Sequence, residues 1–144
     1  MRIYLDNCCY NRPFDDQNQL SVRLETEAKL ALQYMMRLGI LEYAWSDELV
    51  SEAMKCPFAK RKEKILPWCE GAAVFVEITQ EVEQQAALFM KQGIKTADAL
   101  HLACALAANC DWFFTVDRGI LNKFRRIGNM RVANPIEYIQ ETKQ

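Results

Sequence analysis

The stretch TADALHLACALAANCDWFFTVD, residues 96–117, decides the fold class. Its first half, Ala97–Ala108, is rich in Ala and Leu and places Ala99, Leu102, Ala103 and Leu106 at three- and four-residue steps, as one face of an α-helix requires. Thr96 stands where an N-cap is expected. Asp98 falls in the first turn, where free backbone N–H groups and the helix dipole favour a carboxylate. The second half contains Trp112–Val116, a short run of aromatic and β-branched residues that reads as a buried strand. A helix leading directly into such a strand is half of a parallel β–α–β crossover.

The same alternation extends outward in both directions. Strands are expected at Ile3–Leu5, Leu41–Trp45, Val74–Ile78, Trp112–Val116 and Arg131–Ala133. Ser21–Leu38 reads as a helix with Leu24, Ala28, Ala31, Leu32, Met35 and Leu38 on its apolar face, stopped by Gly39. Ser46 is placed to cap a helix running to about Lys55, with Asp47 and Glu48 in its first turn. Further helices are expected over Ala59–Cys69, over Thr79–Gln92 up to Gly93, after Asp117 and after Pro135. Cys8–Gln19 reads as a long first connection. The expected architecture is a three-layer α/β/α fold with a mostly parallel sheet of about five strands.

With 144 residues, 51% of them hydrophobic and 26% charged, the chain has the balance of one globular domain, residues 1–144, that needs no structural metal or disulfide. Eighteen Lys and Arg against 19 Asp and Glu exclude a generally basic nucleic-acid-coating protein. Nucleic acid would have to meet local clusters, Lys60, Arg61, Lys62 and Lys64 or Arg118, Lys123, Arg125 and Arg126, which otherwise read as solvated helix faces. No apolar run is long enough to span a bilayer. The six cysteines follow no signal-peptide pattern, so a reducing cytoplasm and thiols used as small core residues are expected. With no C-x-x-C pair and only His101 as a histidine, a tetrahedral zinc site is not expected.

In a parallel sheet, ligands gather beyond the C-terminal strand ends, and acids stand there. Asp6 follows the first strand, Asp117 the fourth, Asp98 opens the Ala-rich helix, and Glu52 lies on the helix after the second strand. Carboxylates gathered on one rim repel unless a cation offsets them, and Mg²⁺ or Mn²⁺ suits an all-oxygen site that hydrolyses phosphodiesters. The alternative for each acid is a helix cap or a surface carboxylate.

IYLDNCCYNRPFDD (3–16), TADALHLACA (96–105) and FFTVD (113–117), in this order with a Glu-bearing helix between them, resemble PIN-domain proteins of the broad group of VapC-like toxin nucleases. The likeness in order and spacing runs over essentially the whole chain. It implies a Mg²⁺- or Mn²⁺-dependent endoribonuclease in which Asp6, Glu52, Asp98 and Asp117 are catalytic acids and metal ligands, supported by Thr115. It further implies an RNA substrate, products with 5′-phosphate and 3′-hydroxyl ends, and inhibition by a protein antitoxin; a homodimer is compatible with it. Asn7 replaces the Thr or Ser common after the first acid, and its amide can still bond water or phosphate. Glu48 competes with Glu52 for the second acid, and Glu42 lies in the preceding strand.

Arg12 is open to two readings, a phosphate contact or part of a surface turn with Pro13 and Asp15. His101, three residues after Asp98, is read first as a packed or hydrogen-bonded structural residue and second as one that orients a carboxylate. Trp45 and Trp112 read as core, and Trp68 is left open between packing and base stacking. The alternative function is a non-catalytic module of the same fold whose acidic rim binds a basic partner. DNA in place of RNA is a further possibility.

Overall fold

A computed structural model describes residues 1–142 of the chain. It begins with β1 (Arg2–Leu5), the short helix α1 (Asn7–Asn11), a 3-10 turn (Arg12–Phe14) and the long helix α2 (Leu20–Arg37). β2 (Glu42–Ser46), α3 (Asp47–Lys55), α4 (Ala59–Ile65), a second 3-10 segment (Leu66–Gly71) and β3 (Val74–Val76) follow. Next come α5 (Gln80–Lys91), α6 (Thr96–Ala107), β4 (Trp112–Phe114) and α7 (Arg118–Lys123). The chain ends with β5 (Arg126–Ile127), β6 (Met130–Ala133) and α8 (Pro135–Thr142).

The strands form one sheet in the order β3-β2-β1-β4-β6-β5, parallel except where β5 pairs antiparallel with β6. From β1 the chain moves outward to β2 and β3, then returns to place β4 on β1's other side, paired Ile3↔Trp112 through Leu5↔Phe114. The direction of winding therefore reverses between β1 and β4, which opens a crevice beyond their C-terminal ends. Asp6 and the Thr115–Asp117 segment emerge there.

Aromatic side chains show which helix covers which face. Tyr4 stacks on Phe113 and meets His101 of α6, whereas Trp112 and Phe114 pack against Tyr138 of α8. Successive strand residues point to opposite faces, so α6 and α8 lie on opposite sides of the sheet, and the expected three layers are present. Tyr4, Trp45, Phe113 and Phe114 are fully buried between them. Gly39 and Gly93, with φ of 73° and 92°, close α2 and α5 in the left-handed region, the role expected of them. Asn109 makes the same closure after α6 at φ 56°.

Several expectations are corrected. The first connection contains α1, which starts at once because Asp6 accepts from the N–H of Asn7. The helix expected over Ala59–Cys69 breaks at Pro67, which has no N–H to donate and crowds the preceding turn. Lys95, not Thr96, is the N-cap of α6 and makes no side-chain cap bond. A sixth strand, β5, forms because Gly128 at φ 58° folds the chain back onto β6. On α2, Leu24 and Leu38 are exposed, while Glu25, Lys29 and Gln33 are buried. The buried face is rotated from the apolar one because α2 packs against both α8 and the Arg12–Phe14 turn. All six cysteines are unpaired, and no helix among the described residues is long and apolar enough to cross a membrane.

Candidate functional site

Each expected acid is presented by a different element at the reversal point. Asp6, on the residue after β1, is buried and held by its N–H donating to Phe114 O at 2.9 Å. Its Oδ1 accepts from Asn7 N at 2.7 Å, and its Oδ2 accepts from the Thr115 hydroxyl at 2.8 Å. Thr115 Oγ1 in turn accepts from Asp117 N at 3.1 Å. One buried hydroxyl thus ties the first acid to the backbone of the last. Asp117 also caps α7, its Oδ1 accepting from Gly119 N and Ile120 N.

Asp98 is in the first turn of α6, and Glu48 and Glu52 lie one turn apart on α3. All of these, with Asp6, Asp15 and Asp117, line one cavity of about 570 Å³ in which Lys55 is the only cationic lining residue among those described. Both α3 acids reach it, and the contact that distinguishes Glu52 is with His101. Asn7 and Asn11 line it as well, and Asn7 Oδ1 is buried with no hydrogen-bond partner among the described residues.

His101 is almost completely buried, and its Nε2 donates to Glu52 Oε1 at 2.7 Å, with Asp6 Oδ1 at 3.7 Å. Nδ1 meets the Tyr4 hydroxyl at 2.6 Å, and that hydroxyl meets Ser46 Oγ at 2.7 Å. In the neutral ring the tyrosine proton goes to Nδ1; in the charged ring Nδ1–H donates to Tyr4, which donates to Ser46. Burial opposes charging, yet the Glu52 hydrogen bond and the nearby Asp6 and Glu48 carboxylates outweigh it and hold the imidazole above its usual range. His101 is therefore packed and hydrogen-bonded, and the acid it orients is Glu52 rather than Asp98.

Crowding of charge shows in the titration of the acids. Asp98 is pushed up to about 6, first by burial, then by Asp6 and Asp117. Burial, with Glu52 beside it, raises Glu48 as well. A carboxyl with a raised folded pKa binds its proton more tightly in the native state, so stability falls as pH rises from the ordinary value through the raised one. His101, also raised, acts in the same direction: its charged contacts are complete below its ordinary pKa and are lost as pH rises through the folded one. We expect the protein in EDTA to melt higher at pH 5 than at pH 8. Asp98→Asn should be more stable at pH 8 by about 1 kcal/mol, a figure reduced for the solvent that half-surrounds the carboxyl, and should show a shallower pH slope. Thermal melts across this range check both, and an unchanged slope in the variant would place the penalty elsewhere.

The donor set fits a hard divalent cation: converging carboxylate oxygens, an unpartnered amide oxygen and little cationic compensation. The Cys8 thiol is near, 3.3 Å from Asp6 Oδ2, but its contact with Cys9, its burial and Asp6 all hold it protonated. Glu48, Glu52 and His101 also bring one potential ligand atom each within 4.8 Å of one another. With Nε2 bonded to Glu52 and Nδ1 to Tyr4, both ring nitrogens of His101 are already engaged by the protein.

Arg12 is not brought to the cavity. Its Nε donates to Glu25 Oε1 and its Nη1 to Asp15 Oδ2, both at 3.0 Å, so it clamps the first connection to α2. Arg61 donates to Phe14 O and lies over Phe58, while Arg125 pairs with Glu137. Trp68 packs edge-on against Tyr43 beneath the Arg37 guanidinium. Asn11 and Lys55 also belong to the cavity, and nothing in their local spacing marks them; Cys8, expected as a packed thiol, and Asp15, expected in a surface turn, line it too.

A PIN domain family model matches residues 22–128, a range that includes Glu52, Asp98 and Asp117 and begins after Asp6. Among solved structures, a chain of VapBC2 from Rickettsia felis, bound to a DNA fragment from its promoter, matches with a TM-score of 0.54 at 16% identity. The match covers 92% of this chain and 97% of that one, and it is a likeness of fold. No curated protein matches the sequence.

Proposed function

This chain belongs to the PIN domain family, and from that premise we propose that it is a metal-dependent endoribonuclease, the toxin of a toxin–antitoxin pair. The observation that carries this reading is the convergence of Asp6, Glu52, Asp98 and Asp117 on one cavity whose negative charge the protein leaves largely uncompensated. A group of acids serving only as caps or surface residues has no reason to share a cavity and raise one another's pKa.

In this reading Asp6, Asp98 and Asp117, with Glu52 from α3, hold Mg²⁺ or Mn²⁺, and Asn7 Oδ1 supplies a neutral acceptor. When bound, the ion supplies Lewis-acid stabilisation of phosphodiester oxygens and activation of water. The chain's own residues supply positioning. Thr115 fixes the rotamer of Asp6 and the backbone of Asp117, and His101 fixes Glu52. Lys55, on the cavity wall, offers an ammonium to a phosphate of the substrate.

The same uncompensated charge suits a partner that inserts Arg or Lys into the cavity, which is how an antitoxin would silence the enzyme. Leu24, Leu30, Tyr34 and Leu38 stand exposed on and just beyond α2, an apolar surface that supports contact with that partner or with a second copy of the chain. The test is cleavage of labelled structured and single-stranded RNAs, with a DNA control, in Mg²⁺ or Mn²⁺ and in EDTA. Metal-dependent RNA cleavage is expected. EDTA-resistant cleavage overturns the metal mechanism, cleavage of DNA alone changes the substrate, and failure to bind metal in calorimetry leaves a binding module for a basic partner.

A further inference from the structure

A second cavity, about 260 Å³, lies where Tyr10 of α1, Lys29, Gln33 and Arg37 of α2, and Lys64 and Trp68 meet. Lys29 is 5% exposed, Gln33 6% and Tyr10 0%, so three polar side chains are deeply buried along it. The Tyr10 hydroxyl and Gln33 Nε2 have no hydrogen-bond partner among the described residues. Lys29 makes no ion pair or hydrogen bond among the described residues; its ammonium sits 5.7 Å from the Tyr10 ring centroid. No carboxylate among the described residues lines the cavity.

Buried polar groups are ordinarily paired, and an unpaired buried ammonium is costly. Burial lowers Lys29 to about 8, which still leaves it mostly charged at neutral pH. Three buried groups that can all donate, with the cationic Arg37 and Lys64 beside them, are the complement of a ligand with several anionic oxygens. Their combined charge suits a dianion better than a single carboxylate. Phe14 and Trp68 give the same cavity aromatic walls, the latter lying under the Arg37 guanidinium at 4.9 Å. We propose that this cavity binds a phosphate monoester, its oxygens received by Lys29 and its charge balanced by Arg37 and Lys64, with the buried Gln33 and Tyr10 donors joining once the cavity wall parts around the ligand. Free phosphate and a nucleoside monophosphate share that chemistry; the aromatic walls suit the second. The site is separate from the acidic cavity, with which it shares no lining residue, and does not depend on its function.

The experiment is calorimetric titration at pH 7 in EDTA with inorganic phosphate, adenosine 5′-monophosphate, adenosine and acetate, which keeps metal chemistry out of the measurement. Saturable one-to-one binding of a phosphate compound is expected, with none of adenosine or acetate. Tighter binding of the nucleotide identifies it as the better ligand, and equal binding identifies the phosphate group alone. Lys29→Met should weaken binding by at least about tenfold, the scale of one charge-assisted hydrogen bond, and should melt no lower than the parent because a buried unpaired charge is gone. Should that variant fail to fold, Arg37→Gln combined with Lys64→Gln, both nearer the mouth, should weaken binding as well. Absence of saturation by either phosphate compound, acetate binding as tightly as phosphate, or undiminished affinity in the substituted proteins overturns the proposal.

Discussion

If the chain is the proposed endoribonuclease, Asp6→Asn should lower the rate of RNA cleavage by about three orders of magnitude, the scale of several kcal/mol of lost charge stabilisation, while the protein stays folded. Both oxygens of Asp6 are already committed to donors, Asn7 N and the Thr115 hydroxyl, so its position is fixed before any substrate arrives. Asparagine keeps the shape and removes the charge. Its Oδ1 can still accept from Asn7 N while its Nδ2 donates to Thr115 Oγ1, whose own proton then turns toward the Cys8 thiol 3.4 Å away, so one strong hydrogen bond is exchanged for a weaker one at a cost of about 1 kcal/mol. Relief of the repulsion that raises Asp98 offsets this loss, and the melting temperature should stay close to that of the parent. Single-turnover cleavage at saturating Mn²⁺ beside a thermal melt checks the result. Asp15→Asn is the control: Asp15 lines the same cavity but is neutralised by Arg12 and Arg61, so its loss should change cleavage only a few-fold. Full activity in Asp6→Asn would end the proposed mechanism.

His101→Leu should cost about 3 kcal/mol of folding stability, or roughly 10 °C in melting temperature for a chain of this size. Leucine restores the apolar packing but leaves Glu52 without its donor, and removes one of the two partners of the buried Tyr4 hydroxyl. Glu52 is partly exposed and can regain water, which keeps the cost below that of a fully buried broken pair. Chemical denaturation of His101→Leu, Glu52→Gln and the double variant separates pairing from packing. A coupling of more than about 1 kcal/mol assigns His101 to holding Glu52, whereas additive losses mean that it merely fills space. The coupling should be largest at low pH and fade as pH rises through the raised pKa of the imidazole.

Three of the four acids were legible because their positions follow from local rules. Asp6 and Asp117 follow strand runs, Asp98 opens a helix, and a parallel sheet directs such residues to one rim. Glu52 needed the helix after β2 as well; Glu48, one turn before it, lines the same cavity, and Glu52 differs from it in its contact with His101. The break at Pro67 and the strand after Phe124 were harder. The first lies inside a run of otherwise helical residues, and the second is two residues long and depends on a partner for its existence.

Periodicity and residue type sufficed for the order of elements, the parallel sheet and the acids at its rim, since each reflects interactions within a few residues along the chain. What becomes of each charge was settled only by tertiary contact. Arg12, open to a phosphate as far as spacing shows, is taken by Glu25 and Asp15. His101 finds Glu52 across 49 residues, and Thr115 finds Asp6 across 109. On α2, Lys29 and Gln33 are turned inward beside Tyr10 and left unmatched, although the local pattern placed a different stripe against the core. A charge is neutralised by whatever lies within a few ångströms of it in space, and for these residues that neighbour comes from a distant part of the chain.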